Sequence, residues 1–552
     1  MKLTGAKIIM ECLLEQGVDT IFGYPGGQIM PLYDALYDYT DDGRITHILT
    51  SHEQGATHAA DGYARSTGGV GVCFATSGPG ATNTVTGIAT AYMDSSPIVV
   101  ITGQVPLASM GRDSFQEVDI IGITLPITKH SFPIRSVEEI AASVREGFRI
   151  ANSGRPGPVL IDVPKDLFVA TCDYKKAEPL PRIEAPAVDK AMVKELAALI
   201  NEAERPVLYA GGGVNAANAS AELTKLAKKS QIPTGTTLMS LGCFDREDPL
   251  SLGMIGMHGQ KDANLAVHHS DLLVSIGARF SDRVTGDTVR FAKKAKVAHI
   301  DIDRSELGKN VEPDLALYGD VKEILTELIP HVKRNKREAW NEKVDGWKRD
   351  ARLTNKFEPA NIIRTIYNVY GDDTIVATDV GQHQMWTAQN WPFRAPRRLI
   401  TSGGLGTMGF GLGAAIGSSR ANPGKRVILV TGDGSFRMNL NELLTVNAQR
   451  LPITVFVMKN RTLGMVRQWQ KLFFARRYSA TDLPDNLDYI ALGQAMGVGA
   501  TCVSSLDALR EAATAARDSG EAGIIVCDIP IDENVWPIVP PGDAINNQVV
   551  KE

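Results

Sequence analysis

Short β-rich runs alternate with helix-length segments along almost the whole chain. Gly71–Ala75, Ile98–Thr102, Leu272–Ile276 and Ile453–Met458 are rich in the apolar residues typical of strands that are buried on both faces. In such an alternation, a helix joins each strand to the next parallel strand. The sequence therefore predicts an α/β protein built from doubly wound parallel sheets.

The length predicts more than one hydrophobic core. A chain of 552 residues is expected to form three domains of about 150 to 200 residues each. Proline-rich and charge-rich stretches suggest where the connections lie. The predicted units are a first domain at 1–170, a linker at 171–190, a central domain at 191–335, a connection at 336–360, a third domain at 361–530 and an irregular tail at 531–552.

The composition excludes several classes of partner. A net charge of −5, 43% hydrophobic residues and 22% charged residues are those of an ordinary globular enzyme, so we expect neither nucleic-acid nor membrane binding. The six cysteines are scattered, which argues against a disulfide framework and against a zinc site. With no signal-peptide pattern at the start and no long apolar span, a cytoplasmic protein is expected.

A carboxylate and an amide follow two successive predicted strands of the third domain. Asp433 lies between glycines in Gly432–Phe436, and Asn460 follows the next strand. Magnesium prefers a few oxygen ligands of this kind together with phosphate oxygens, and the glycines let the backbone approach a phosphate closely. The pair predicts a magnesium-bound diphosphate, with the backbone oxygen of Thr462 as a third ligand. Alone, Asp433 could simply cap a helix.

A second acidic residue lies far away in the first domain. Glu53 follows the predicted strand Ile45–Thr50 and begins a helix rich in small residues. Such a Glu is often only a first-turn residue that the helix dipole stabilises. Together with the diphosphate motif, however, it predicts thiamine diphosphate catalysis, in which a carboxyl group must contact the aminopyrimidine of the cofactor.

Longer strings of residues carry a family resemblance. The chain resembles the catalytic subunits of the acetohydroxyacid synthase family, over nearly its whole length. The matching segments are Gly23–Gly27, the Glu53 region, Thr76–Asn83, Thr102–Pro106, Ser153–Val159, Gly256–Gly259, Asp379–Trp386 and Leu463–Trp469.

The resemblance implies a site shared between subunits. In this family the first domain binds the pyrimidine, and the third domain of another subunit binds the diphosphate, so a homodimer or homotetramer is expected, with a possible small regulatory subunit. Met408 is expected to be the wedge beneath the bent cofactor, although it could equally fill the core. The implied thiamine diphosphate contacts are Glu53, Gln382, His383, Gly406, Met408, Asp433, Gly434, Ser435, Asn460 and Met465.

The resemblance also implies FAD in the central domain, without a net redox role. By itself, the glycine-rich turn after the strand at Val207–Ala210 is weak evidence, because such turns are often only tight turns. The implied flavin contacts are Arg155, Gly211, Gly212, Gly213, Thr237, Leu238, Ile255, Gly256, Met257, His258, Gly277, Arg279, Ser281, Asp301, Ile302, Asp320 and Val321.

The remaining implied residues concern the substrate. Arg283 is expected to bind the carboxylate of a 2-oxo acid, because a guanidinium can donate two parallel hydrogen bonds. Trp469 is expected to select the alkyl group of the acceptor, with Phe115 nearby. A surface ion pair for Arg283 and a core position for Trp469 are the alternatives. The expected catalytic residues are Glu53, Gly27, Gln116 and Lys129.

The expected activity is that of an acetohydroxyacid synthase, which forms 2-acetolactate or 2-aceto-2-hydroxybutyrate from pyruvate and a second 2-oxo acid, pyruvate or 2-oxobutyrate. A flavin-free catabolic acetolactate synthase, another thiamine diphosphate-dependent decarboxylase or oxidase of 2-oxo acids, and a non-catalytic paralogue are the alternatives. Two positions depart from the usual pattern: Lys459 stands where an Asn is common, and Ser281 where the synthases usually carry Asp.

Overall fold

The computed structural model describes residues 1–348 and 355–550, so the predicted connection at 336–360 lies partly outside the described residues. In these ranges, three six-stranded sheets are parallel throughout, and helices pack on them. The predicted α/β class with three doubly wound parallel sheets is confirmed. Strands such as Ile98–Gln104 are buried along their whole length, as expected for sheets covered on both faces.

The first sheet organises the N-terminal third. Its strands, in spatial order, are Thr46–Leu49, Thr20–Tyr24, Gly71–Ala75, Ile98–Gln104, Val159–Pro164 and His130–Pro133. Its helices are Gly5–Glu15, Met30–Asp41, Glu53–Thr67, Pro79–Asn83, Val85–Met93, Ile120–Thr124, Glu139–Ala151 and Lys165–Val169. A separate antiparallel pair joins Lys2–Thr4 to Thr171–Asp173, so the first residues of the predicted linker pair with the chain's N-terminal strand.

The central sheet has a different strand order. In space its strands are Ser251–Met254, Thr234–Thr236, Pro206–Ala210, Leu272–Ile276, Lys296–Asp301 and Leu315–Tyr318. This order, third to first and then fourth to sixth, is that of dinucleotide-binding folds. Its helices are Lys190–Glu202, Gly212–Ala216, Ser220–Ser230, Lys261–His269, Asp282–Thr285, Val321–His331 and Glu338–Asp345.

The third sheet repeats the order of the first. Its strands in space are Leu399–Ile400, Ile375–Thr378, Val427–Gly432, Ile453–Lys459, Gly523–Asp528 and Gly499–Val503. Its helices are Pro359–Tyr370, Gln382–Asn390, Phe410–Ala421, Asp433–Asn439, Leu443–Ala448, Gly464–Phe473, Tyr489–Met496 and Leu506–Ser519. Beyond these, the described tail is irregular apart from an isolated bridge between Ile538 and Val549.

Two glycine-rich helices join the first and third domains. Helix Glu53–Thr67 packs against helix Phe410–Ala421 with backbones in close approach, because a Cβ atom on Gly62 would lie 2.2 Å from the Ala414 carbonyl oxygen. A Cβ on Gly417 would lie 1.8 Å from the carbonyl oxygen of Ala59. Only glycine fits at these crossing points. The contact fixes the helix that begins with Glu53 on the third domain of its own chain.

No helix among the described residues is long and apolar enough to cross a membrane.

Candidate active site

Asp433 and Asn460 lie at the same edge of the third sheet. Strands Val427–Gly432 and Ile453–Lys459 are parallel neighbours, with Gly432 in register with Met458. Because both strands end at this edge, the residues that follow them lie side by side. The carboxyl edge of a doubly wound sheet is also where ligands bind.

The Asp433 carboxylate is held by the backbone. Its Oδ2 accepts a hydrogen bond from the N–H of Arg461 at 2.7 Å, and its Oδ1 accepts one from the N–H of Gly434 at 3.1 Å. Gly432, not Asp433, is the capping residue of helix Asp433–Asn439. Burial raises the pKa of Asp433, and the Arg461 N–H opposes this rise. A bound cation would favour the charged form of this carboxylate.

Asn460 is oriented by a chain of side-chain amides. Its Nδ2 donates to Oε1 of Gln382 at 3.1 Å, and Nε2 of Gln382 donates to Oε1 of Gln468. The Asn460 Oδ1 accepts from the N–H of Thr462 at 3.2 Å and keeps a lone pair for another partner. The Arg461 backbone between them has φ of +61°, which closes the turn tightly. Thr462 is thereby held next to the Asp433–Asn460 pair.

His383 supplies a buried nitrogen without a partner. Burial lowers the pKa of His383 to about 3, so its imidazole is neutral, and its Nε2 has no hydrogen-bond partner among the described residues. The ring lies against the turn Gly432–Gly434, since a Cβ on Gly432 would be 2.8 Å from Nδ1 of His383. A free buried donor or acceptor is costly unless a ligand pairs with it. The carboxylate, amide and imidazole fit a magnesium-bound diphosphate.

The other predicted cofactor contacts of the third domain surround this turn. Ser435 donates its hydroxyl to the carbonyl of Val380 at 3.1 Å. Gly406 is exposed, with φ of +75°, and Met408 is half-buried. The Met408 methyl group reaches 3.8 Å from a Cβ position on Gly434, so this side chain projects toward the turn and is not simply part of the core.

Glu53 is buried at the start of its helix in the first domain. Its Oε2 accepts a hydrogen bond from Nδ2 of Asn83 at 2.9 Å. Its Oε1 faces Gly80, where a Cβ would lie at 3.1 Å, so the glycine leaves room beside the carboxylate. The side chain is 8% exposed, which sets it apart from an ordinary solvated first-turn Glu.

Within one chain, Glu53 and Asp433 belong to separate clusters. The hydrogen-bond partners described for Glu53 lie in the first domain, and those of Asp433 lie in the third. Among the described residues the two carboxylates share no partner. Each carboxylate is therefore positioned by the elements of its own domain.

Arg283 and Trp469 do come together, although they are far apart in sequence. The Arg283 guanidinium carbon lies 5.7 Å from the centre of the Trp469 ring. Both line a cavity of about 740 Å³ between the central and third domains. The residues that line it are Arg283, Met465, Val466, Trp469, Gln470, Phe474, Arg477 and Ser479. Sequence reasoning identified three of these and missed the others.

Arg283 and Trp469 also make the contacts expected from their alternative roles, an ion pair for Arg283 and packing for Trp469. Arg283 also pairs with Asp282 at 3.1 Å, but both side chains are largely exposed, so this ion pair contributes little. The Trp469 indole contacts Phe473 edge to face, with ring centres 5.7 Å apart. One face of the tryptophan thus packs on its own helix, and its ring still borders the cavity.

The first-domain members of the predicted mouth lie elsewhere in the single chain. Phe115 is 84% exposed, Gln116 has φ of +62°, and Gly27 is exposed with open space around it. Lys129 donates from Nζ to the carbonyls of Ile150 and Ser153, and burial lowers the pKa of its amine to about 8. None of these four lines the Arg283 cavity.

The predicted flavin contacts gather at the carboxyl edge of the central sheet. Gly211–Gly213 follows strand Pro206–Ala210, and the N–H of Gly213 donates to the Gly277 carbonyl at 3.0 Å. A Cβ on Gly211 would lie 2.2 Å from that same oxygen, so two strand ends touch there. Thr237 and Leu238, Ile255 to His258, Arg279 and Ser281, Asp301 and Ile302, and Asp320 and Val321 follow the other strands.

Charged groups lie at one end of this edge. Burial raises the pKa of Asp301 to about 6. Arg155 donates to Glu306 at 2.8 Å and to Asp303 at 3.2 Å, so its guanidinium connects the first domain to the central sheet. His299 has a buried Nδ1 without a partner among the described residues. Glycines, a buried acid and a cation at the ends of a sheet with this order are the kinds of groups that fit a dinucleotide.

Comparison with known proteins agrees with this architecture. The chain matches the models of the thiamine pyrophosphate enzymes: the N-terminal TPP binding domain at residues 3–123, the central domain at 193–328 and the C-terminal TPP binding domain at 379–529. The chain therefore belongs to the thiamine pyrophosphate enzymes.

Full-length relatives define the family more closely. The chain is 47% identical to the acetolactate synthase large subunit of Parasynechococcus marenigrum, covering 99% of this chain and 91% of the relative. It is 46% identical to the probable acetolactate synthase large subunit of Methanocaldococcus jannaschii, covering 99% and 95%. It is 44% identical to the isozyme 1 large subunit of Escherichia coli, covering 100% and 98%. The chain belongs to the acetolactate synthase large subunits.

Proposed function

We propose that this protein is a thiamine diphosphate- and Mg²⁺-dependent acetolactate synthase of branched-chain amino acid biosynthesis that acts in the cytoplasm. It decarboxylates pyruvate and joins the two-carbon unit to pyruvate or 2-oxobutyrate, giving 2-acetolactate or 2-aceto-2-hydroxybutyrate. One observation carries the proposal. Helix Gly464–Phe473, which presents Trp469 to the cavity with Arg283, begins directly after the turn that holds Asn460 beside Asp433.

The third domain provides the anchor for the cofactor. Asp433, Asn460 and the carbonyl of Thr462 would hold Mg²⁺, and His383 with the glycine backbone would bind the diphosphate. When bound, thiamine diphosphate supplies the electron sink that the decarboxylation and the carbon–carbon bond formation need. Met408, whose methyl group projects toward this turn, would pack against the bound cofactor.

Glu53 would take part in proton transfer with the cofactor. A buried carboxyl group beside the aminopyrimidine can share a proton with its ring nitrogen and thus activate the cofactor. Asn83 fixes the carboxyl orientation through its hydrogen bond to Oε2. Because Glu53 and the Asp433 turn lie on different domains and share no hydrogen-bond partner among the described residues, we propose that two chains complete each site in a homodimer or homotetramer.

Arg283 and Trp469 would select the substrate. The guanidinium can bind the carboxylate of a 2-oxo acid through two hydrogen bonds. This carboxylate is a group that both acceptors share. The indole limits and contacts the alkyl group, the only part in which pyruvate and 2-oxobutyrate differ. Phe115, Gln116, Lys129 and Gly27 would join this mouth from the partner subunit.

The central domain would bind FAD along its carboxyl edge. The strand order and the close approach of Gly211 to Gly277 support this proposal. Denaturation of the purified protein should release a flavin, which is detected by its absorption band. This result would support the biosynthetic synthase. A colourless protein would favour a flavin-free catabolic acetolactate synthase. Since the relatives are named large subunits, a small regulatory subunit is a further proposed partner.

The activity is tested by incubating the protein with thiamine diphosphate, Mg²⁺, pyruvate and 2-oxobutyrate and resolving the products by mass. We expect both acetohydroxy acids. Acetaldehyde or acetate as the sole product would overturn the proposal in favour of a decarboxylase or an oxidase.

A further inference from the structure

A buried ionic cluster joins the first and third domains beside the proposed cofactor site. Arg65 donates to both oxygens of Asp61, at 2.5 and 2.8 Å, and to Oδ2 of Asp94 at 3.0 Å. The Asp61 and Asp94 side chains have no exposed surface, and Arg65 is 11% exposed. Two carboxylates face one guanidinium, so the Asp94 charge needs further donors to be stable in the interior.

Those donors come from the third domain. Residues 401–408, which we call the cofactor loop, contain the proposed contacts Gly406 and Met408. Asp94 Oδ1 accepts from the N–H of Gly404 at 2.6 Å, and Oδ2 accepts from the N–H of Gly403 at 3.0 Å. Arg65 also donates to the carbonyl of Thr401 at 2.6 Å. One carboxylate and its partner guanidinium thus hold the first half of the loop.

The fit at this point leaves no room for side chains. A Cβ on Gly404 would lie 2.9 Å from both the Asp94 Oδ1 and the Met93 carbonyl oxygen. A Cβ on Gly403 would lie 2.3 Å from the sulfur of Met239 in the central domain. Gly404 is therefore needed for the close approach to Asp94 and the Met93 backbone, and Gly403 brings the loop against the Met239 side chain of the central domain.

The second half of the loop contacts helix Val85–Met93, which ends directly before Asp94. Thr407 Oγ1 lies 2.7 Å from Oγ1 of Thr90, one turn before Asp94. Between the two anchors, Leu405 is 44% exposed and Gly406 is exposed. The loop thus presents a free tip between two fixed points.

We propose that Asp94 is a positioning residue that sets the cofactor loop for thiamine diphosphate binding. The inference rests on the proposed function. In this role Asp94 acts through the backbone: it fixes Gly403 and Gly404, and through them the positions of Gly406 and Met408. A carboxylate suits this task because it accepts from two backbone N–H groups and from Arg65 at once.

The variant Asp94→Asn tests this requirement with little change in shape. Its amide group can accept from only one of the two N–H groups and must turn an NH₂ toward the other, so one loop contact is lost. Asp61→Asn is the matched control, because it removes an equally buried carboxylate from the same Arg65 while leaving the loop contacts in place. Calorimetry on cofactor-depleted full-length protein measures thiamine diphosphate binding with Mg²⁺, without turnover.

We expect Asp94→Asn to raise the Kd for thiamine diphosphate by about tenfold or more, and Asp61→Asn to change it by less than about threefold. Thermal unfolding of the two cofactor-free variants should shift by similar amounts. Equal Kd values for Asp94→Asn and wild type, or equal increases in the two variants, would overturn the inference. No binding by the wild type would instead overturn the proposed function.

A milder variant decides the question if Asp94→Asn does not fold. Thr90→Val keeps the side-chain volume and removes the hydrogen bond to Thr407, together with the bond that the Thr90 hydroxyl donates to the Thr86 carbonyl within its own helix. We expect a Kd increase of about two- to fivefold, because one of the two lost hydrogen bonds, the bond to Thr407, holds the loop. An unchanged Kd for this folded variant would contradict a role of the helix Val85–Met93 in holding the loop.

Discussion

At the residue scale, Glu53 is the group whose chemistry can be separated most cleanly from its packing. In Glu53→Gln, the amide oxygen can still accept from Asn83, so the fold should keep its stability. The proton that Glu53 shares with the cofactor is lost, and acetolactate formation should fall by about 10² to 10⁴. Steady-state rates and thermal unfolding of the same preparation check both expectations. A variant with full activity would exclude the proposed role.

Arg283 provides a second residue-scale prediction. Arg283→Lys keeps the positive charge but loses the fork that binds a carboxylate through two hydrogen bonds, so KM for the 2-oxo acid should rise by about tenfold or more. The neighbouring Asp282→Asn is the control, because it removes the exposed ion-pair partner and should leave KM unchanged. If both variants behave like wild type, the Arg283 guanidinium does not bind substrate.

Single residues were readable from sequence only where a motif marked them. Asp433 and Asn460 each follow a recognisable strand, and two strands that end at the same edge bring them together. Asp94 has no such signal, because its partners, Gly403 and Gly404, lie in another domain. The cavity residues Phe474 and Arg477 were missed for a similar reason. They follow helix Gly464–Phe473, and beyond its end the helical period no longer indicates which residues share a face.

At the element scale, the contact between helices Glu53–Thr67 and Phe410–Ala421 depends on missing side chains. Gly417→Ala would place a Cβ 1.8 Å from the Ala59 carbonyl oxygen. The gain of about 1 kcal/mol in helix propensity is smaller than the cost of separating two backbones, which is about 1–3 kcal/mol or more. We expect the unfolding temperature to fall by several degrees in a thermal scan.

The control for this helix prediction is Gly499→Ala, where no atom of the described residues beyond the two chain neighbours lies within 4 Å of the new Cβ and φ is not positive. Its unfolding temperature should stay close to that of the wild type. A Gly417→Ala protein as stable as the wild type would show that the two helices can move apart without cost.

The strands show which elements the sequence can predict. Leu272–Ile276 and Gly71–Ala75 were predicted with their observed bounds, because largely apolar runs are needed where a strand is covered on both faces. Strands such as Leu399–Ile400 and Thr234–Thr236 were not predicted, since two or three residues carry no periodic signal. The exposed strand Gly499–Val503 lies at a sheet edge and lacks a continuous apolar run.

At the scale of the whole molecule, the first and third sheets have the same strand order, whereas the central sheet differs. In the sequence, both thirds show the same alternation of strands and helices. The way in which two chains would combine could not be predicted from local patterns, because it depends on surfaces formed by distant segments. Each chain nevertheless carries one Glu53 and one Asp433 turn, which is what a pair of shared sites in a twofold dimer requires.

A mixed dimer tests this arrangement. Glu53→Gln and Asp433→Ala should each be inactive as homodimers, because every site lacks either the carboxyl group or the metal ligand. If each site joins the first domain of one chain to the third domain of the other, a dimer of the two variants contains one intact site. Coexpression with two different tags and purification over both should therefore yield about half of the wild-type rate per dimer. A dimer of wild type with the double variant Glu53→Gln/Asp433→Ala is the matched control, since each of its sites then lacks one group and it should be inactive. The opposite pattern, an inactive dimer of single variants and a half-active control, would place both residues in a site within one chain.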